Sequence, residues 1–214
     1  MMPNDRLIDR LVSDLKPVRP RRGGRDALIF AALCAVELGL FLTLGPMRPD
    51  MPAAMDMPSF WWKLGSLGLI AALGATVAIL SFDPARSPRR GLRWVVGLFA
   101  CCLAAGWLVD AARAGLPDLA ARVNWHDGLQ CVTKMVLLSI PAVVGLGLLM
   151  RRGAPTDRAG TAVAVGITAA SWGAFVFVFA CPYDDPLYIA LWYTVGCGLV
   201  TLIARMLLPR LTRW

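Results

Sequence analysis

Six long apolar runs, set apart by short clusters of Arg, Pro, Asp and Gly, leave this chain one class of fold. A soluble core of similar length alternates apolar and polar positions along its helices and strands, whereas these runs stay apolar from end to end. Charged residues make up 17% of the chain against 57% hydrophobic, where soluble domains carry about 25% charged. The runs cover approximately residues 27–45, 63–81, 94–112, 128–150, 160–181 and 187–208. Each supplies the roughly 20 helical residues that a bilayer core of about 30 Å demands. The expectation is an all-α integral membrane protein: a six-transmembrane-helix bundle over residues 27–208, a tail at 1–26 and a short C-terminal end at 209–214. Gly65, Gly68 and Gly74, Gly145 and Gly147, and Gly166, Ala170 and Gly173 punctuate the runs and serve close helix packing.

The basic residues give the orientation, because Lys and Arg beside membrane helices stay on the cytoplasmic side. Arg supplies nineteen of the 22 basic residues behind the net charge of +8. Seven lie in the tail (Arg6, Arg10, Lys16, Arg19, Arg21, Arg22, Arg25), and four follow the second run (Arg86, Arg89, Arg90, Arg93). Three more follow the fourth run (Arg151, Arg152, Arg158), and three lie near the C-terminus (Arg205, Arg210, Arg213). The other side holds only Arg48, Lys63, Arg113 and Arg122, with Lys134 inside a run. Both termini are therefore expected in the cytoplasm. On the far side, segment 47–62 ends in Phe60-Trp61-Trp62 and segment 113–127 contains Trp125, in the place of an interfacial aromatic belt.

The tail has no apolar stretch longer than two residues, so it lacks the hydrophobic region of a cleavable signal peptide and is expected to be retained. From Asn4 to Lys16 it reads as an amphipathic helix. Leu7, Leu11 and Leu15 recur at every fourth position with Ile8 and Val12 beside them, giving one apolar stripe on a charged helix. Asn4 caps its start, Asp5 suits the first turn, and Pro17 stops it. A helix of about 13 residues is marginal alone in water, so the stripe needs a surface. One choice is the lipid interface; the other is a groove on a cytoplasmic protein, with the leucines as anchors. Asp5, Asp9 and Asp14 disfavour anionic lipid and complement a basic partner. Residues 17–25 read as an extended tether with a basic anchor at the membrane.

Cys34, Cys101, Cys102 and Cys197 fall inside the runs, where a thiol packs as a small hydrophobe. Cys131 and Cys181 fall at similar depth on the far, oxidising side, in consecutive antiparallel helices. Their meeting is geometrically allowed, and two unrelated thiols fit the residues as well. His126, the only histidine, lies five residues before Cys131; its spacing matches no standard zinc pattern, and it is expected to cap the fourth helix. Glu37, Asp110 and Lys134 are ionisable groups within the runs, costly there and expected to pair, with Lys134 reaching either carboxylate. The chain has no Cys-x-x-Cys, Gly-rich phosphate loop, His-Glu-x-x-His or Gly-x-Ser-x-Gly, so no enzyme activity, cofactor or metal is expected.

Over nearly its whole length the chain resembles the NrsF-type membrane anti-sigma factors, negative regulators of the extracytoplasmic-function (ECF) sigma factor F in proteobacteria. The resemblance rests on the tail from Asp5 to Val18, on Phe60-Trp-Trp-Lys-Leu-Gly65, on Trp172-Gly-Ala, on Cys181-Pro-Tyr-Asp-Asp-Pro-Leu187 and on Trp192-Tyr193. It implies a six-span inner-membrane protein whose cytoplasmic N-terminus sequesters a sigma factor from RNA polymerase. Periplasmic stress, including heavy-metal stress, then releases that factor. Cys131 and Cys181 match the family's paired cysteines, which carry the sensing step. The expected partners are sigma factor F and the lipid bilayer, without direct nucleic-acid contact. On this reading Leu7, Ile8, Leu11, Val12 and Leu15 bury against the sigma factor, and Asp5, Asp9 and Asp14 set the register. Two other classes remain open from the residues: a small transporter or exporter of a metal or oxyanion, which would route its cargo past Glu37 or Lys134, and a membrane thiol enzyme.

Overall fold

The computed structural model describes residues 12–13, 21–114 and 124–212, with the side chains of 109–114 excepted. Among these residues the chain forms α1 (Gly23–Leu44), a single turn α2 (Met51–Ala54), α3 (Pro58–Ser81), α4 (Arg89–Ala114), α5 (Trp125–Arg151), α6 (Arg158–Phe177) and α7 (Pro186–Leu211). All but α2 are long and apolar enough to cross a membrane, and they overlap the six runs read from the sequence. Contacts at both ends make successive long helices run in opposite directions. Arg89 of α4 pairs with Asp157 before α6 at the arginine-rich end, and Lys63 of α3 pairs with Asp184 before α7 at the far end.

The helices outrun the apolar stretches because their first turns use polar caps and proline rather than apolar residues. Asn124 accepts a hydrogen bond from the Asp127 backbone N–H and caps α5. His126, expected in that role, instead faces Gln130, with the two Nε2 atoms 3.0 Å apart. Its ring offers no freely rotating short acceptor, whereas an Asn side chain folds back onto its own turn. Asp157 caps α6 through Gly160 N–H at 2.9 Å. Asp185 caps α7 through Leu187 N–H at 2.8 Å, with Pro186 in the first turn, a position where proline sacrifices no hydrogen bond.

Helix α6 is the centre of the bundle and packs on α3, α5 and α7, while α1 and α4 lie at the periphery. Its sequence explains this place. Thr161, Ala162, Ala164, Gly166, Thr168, Ala169, Ala170, Ser171, Gly173 and Ala174 are all buried, and small side chains let three neighbours approach closely. A methyl group on Gly173 would fall 2.3 Å from Ser139 Oγ of α5. One on Gly166 would fall 2.7 Å from Thr201 Cα of α7.

The core has two parts. The half toward the arginine-rich end gathers Phe30, Val77, Phe82, Leu146, Met150 and Val165. The far half is aromatic and holds Phe60, Phe177, Tyr188, Trp192 and Tyr193 together with Cys131 and Cys181. Phe60, expected in the aromatic belt, is 1% exposed and packs edge-on against Phe179, whereas Trp61, Trp62 and Trp125 stay exposed. The difference is one of helix phase. Because α3 begins at Pro58 rather than near residue 63, Phe60 falls on the face that turns inward with Leu64 and Leu67.

Candidate functional site

Cys131 stands in the second turn of α5. Cys181 was expected to end the fifth helix, but α6 stops at Phe177 and Cys181 lies in the connection to α7. The cause is local. Cys181 N–H still reaches Phe177 O at 3.0 Å, but Pro182 has no N–H and forces its predecessor out of the helical region. The turn thereby points Cys181 back across the end of the bundle at α5.

The two thiols meet there. Cys131 is 5% exposed and Cys181 fully buried, both are free, and they share one packed cluster, near enough for each thiol to perturb the other. Tyr188 Oη lies 3.2 Å from Cys131 Sγ, and Cys181 Sγ lies 3.8 Å from the Tyr183 carbonyl. Tyr183 and Tyr188 stack over the pair with ring centroids 4.4 Å apart, and the Tyr183 hydroxyl donates to the Asp127 carboxylate. The neighbouring Cys131 thiol favours the Cys181 thiolate. With the Lys63 charge and the Tyr193 hydroxyl it outweighs burial and holds Cys181 below the ordinary thiol range.

A layer of buried charge braces the Cys181 turn. Arg48 Nε and Nη2 each lie 2.7 Å from a carboxylate oxygen of Asp50. Nη2 and Nη1 meet Asp184 Oδ2 and Oδ1 at 2.7 and 3.3 Å. Lys63 Nζ lies 2.6 Å from Asp184 Oδ1 and donates to the Tyr183 carbonyl at 2.9 Å. The Arg48 backbone N–H adds a bond to Phe179 O at 3.0 Å. Burial alone would raise the Asp184 carboxyl, but the bonds from Arg48 and Lys63 hold it below the usual carboxylate range. Arg48 and Lys63 are only 3% exposed. The charge count gave them no role beyond topology, although each lay within reach of a sequence cue: Asp50 beside Arg48, and Asp184 in the Cys-Pro-Tyr-Asp-Asp-Pro segment.

The remaining candidates are scattered. Glu37 Oε2 accepts from Trp172 Nε1 of α6 at 2.9 Å, while Lys134 is exposed and makes no ion pair among the described residues. The Glu37–Lys134 pairing is thus absent, because Lys134 shares the outward face of α5 with Thr133 and Leu137 while Glu37 is bonded to α6. The Asp110 side chain lies outside the described residues. Cys34 and Cys197 are buried as packing residues, but Cys101 is exposed and Cys102 half-buried on the peripheral α4. Of the tail residues, Val12 is 58% exposed, and Asp5, Leu7, Ile8, Asp9, Leu11, Asp14 and Leu15 lie outside the described residues. Among the described residues no three His, Cys, Asp or Glu side chains gather as a metal site. The chemistry on offer is that of a dithiol: reversible oxidation, or capture of a soft ion by two sulfurs.

Residues 11–214 match the NrsF family, described as negative regulator of sigma F. The chain is 32% identical over 225 residues to the anti-sigma-F factor NrsF of Caulobacter vibrioides. It is 27% identical over 222 residues to the probable anti-sigma-F factor NrsF of Azospira oryzae. Both alignments span the full length of both chains. No solved structure matches.

Proposed function

The chain belongs to the NrsF family of negative regulators of sigma F, and from that premise we propose that its cytoplasmic N-terminal tail sequesters ECF sigma factor F. Redox or heavy-metal stress on the periplasmic side, registered at Cys131 and Cys181, releases it. In this reading the protein is a multi-pass inner-membrane protein with both termini in the cytoplasm, consistent with the arginine distribution. It acts by binding, not by catalysis.

The observation that carries the proposal is the convergence of two buried free thiols from separate elements, α5 and the α6–α7 connection, in one packed cluster. Oxidation by a thiol oxidant removes two protons and two electrons from the pair and replaces a non-bonded contact with a covalent bond. A soft cation displaces the thiol protons and binds both sulfurs. Either event changes the spacing of α5 and the Cys181 turn, and the close packing of α6 on α5 leaves little slack to absorb it. On the output side, the apolar stripe from Leu7 to Leu15 buries against the sigma factor, with Asp5, Asp9 and Asp14 fixing the register.

Full-length protein and a sigma-F-dependent reporter test both halves. Leu11→Asp removes an anchor worth about 3 kcal/mol, roughly a hundredfold in affinity, and should raise the reporter without changing membrane insertion. Cys131→Ser and Cys181→Ser should abolish the response to a thiol oxidant and to cadmium. Full repression by the Leu11→Asp protein overturns the tail assignment, and an intact response in both serine variants overturns the thiol assignment.

A further inference from the structure

The tail leaves the bundle through Arg21, and Arg21 is seated in a socket built mainly by other elements. Its Nε lies 2.6 Å from Asp26 Oδ2 in the first turn of α1. Its Nη2 donates to the Leu149 carbonyl in the last turn of α5 at 2.8 Å. The guanidinium sits 4.9 Å from the centroid of the Phe82 ring, just past the end of α3. Gly153 completes the socket, since a methyl group there would fall 2.1 Å from Arg21 Nη1. The arrangement suits an Arg: the Leu149 carbonyl accepts from Arg152 N–H at 3.2 Å and has a second lone pair to offer, the helix C-terminus carries a partial negative charge, and a planar cation meets both while lying over an aromatic face.

Leu149 belongs to the helix that carries Cys131 at its other end, five turns or about 27 Å away. The same helix supports α1, the element to which the tail is attached. Leu33 of α1 approaches α5 so closely that a methyl group on Gly145 would fall 2.4 Å from its Cδ2, while most of α1 is otherwise uncovered by protein. We propose that Arg21 is the coupling residue of this protein: the contact by which α5, holding Cys131 at one end and the tail's base at the other, governs the tail. Pro141 removes one rung of the α5 ladder between the two ends, but the helix runs unbroken from Trp125 to Arg151 and packs on α6 and α7, so a displacement at one end is passed to the other. A shift imposed at Cys131 therefore displaces the Leu149 carbonyl and the Gly153 wall, and the Arg21 seat opens. This deepens the functional reading above, resting on its assignment of tail as output and thiols as input.

Two measurements on the full-length protein test it. In nanodiscs, trypsin cleavage after Arg22 reads the exposure of the tail's base without reference to sigma factor or oxidant. Arg21→Ala empties the socket, and Gly153→Ala fills it without touching the tail. Both should raise the cleavage rate at least threefold, with Arg21→Lys between them and wild type. Cys131→Phe, which overfills the opposite end of α5, should raise it in Arg21 protein and add nothing in Arg21→Ala protein. Wild-type cleavage in both socket variants, or equal effects of Cys131→Phe in the two backgrounds, overturns the coupling. In cells, the ratio of sigma-F reporter output with and without diamide should fall toward one in both socket variants at unchanged membrane levels. If Leu11→Asp leaves repression intact, the tail reading fails, while the cleavage result still decides whether α5 governs the tail's base.

Discussion

Arg48 meets Asp184 through two hydrogen bonds, Nη2 to Oδ2 at 2.7 Å and Nη1 to Oδ1 at 3.3 Å. The bond ties the α1–α3 connection to the turn that holds Cys181. Removing one partner from such a buried pair leaves the other charge stranded, at a cost of about 3 kcal/mol. Asp184→Asn should therefore destabilise the protein by an amount of that order, because it leaves buried Lys63 only the Tyr183 carbonyl, and Arg48→Ala by somewhat less, because Asp184 retains Lys63. Thermal denaturation in detergent checks both values. Alkylation of Cys181 under native conditions should speed up in parallel as the turn loosens.

The same pair sets an acid limit. Asp184 is held below its ordinary pKa, so its contribution to stability is complete above the usual carboxylate range near pH 4. It is lost as the pH falls from there through the depressed native value. The gap in Tm between wild type and Asp184→Asn should be full at pH 6 and should close below pH 4. A gap that widens toward acid would contradict the assigned direction.

Gly128 of α5 leaves the space that the Trp192 ring occupies; a methyl group there would lie 1.9 Å from the indole. Gly128→Ala should expel Trp192 and cost about 2 kcal/mol, the range for overpacking a filled core. Trp192 also meets Trp125 edge to face, with centroids 5.3 Å apart. The loss should therefore appear in near-UV circular dichroism as well as in Tm.

Glu37 serves as an acceptor for Trp172, and Lys134 points outward. Glu37→Gln retains an oxygen for the indole N–H and should cost under about 1 kcal/mol. Together with Lys134→Met it should leave repression of sigma F unchanged. Loss of regulation in the double variant at normal membrane levels would restore the intramembrane charges to a functional place.

The bundle was legible because 20-residue apolar runs admit few other structures, whereas equal depth only allowed Cys131 and Cys181 to meet, and it took the turn after Phe177 to bring them into one cluster. Three things were hidden, each for a physical reason. Helix phase decides which of Phe60, Trp61 and Trp62 turns inward, and that phase depends on a start at Pro58 that hydropathy does not mark. Buried cations look like topological exceptions in a charge count, so Arg48 and Lys63 acquire meaning only when the fold brings Asp184, 136 residues beyond Arg48 in the chain, to meet them. Lys134 was matched with Glu37 by depth alone, and depth does not say which way around a helix a side chain faces.

Helix α6 combines the lowest mean hydropathy of the six long helices, 1.5, with the deepest burial. Such a segment meets little lipid, and its place in the bundle is conferred by neighbours that close around alanine, serine and threonine. In order of synthesis α3 and α5 precede it and α7 follows. The place of α6 is thus a slot between α3 and α5 that α7, made after it, closes. Because the Cys181 turn is the short link between α6 and the helix that closes over it, the thiol pair exists only where that closure has brought the turn back to α5.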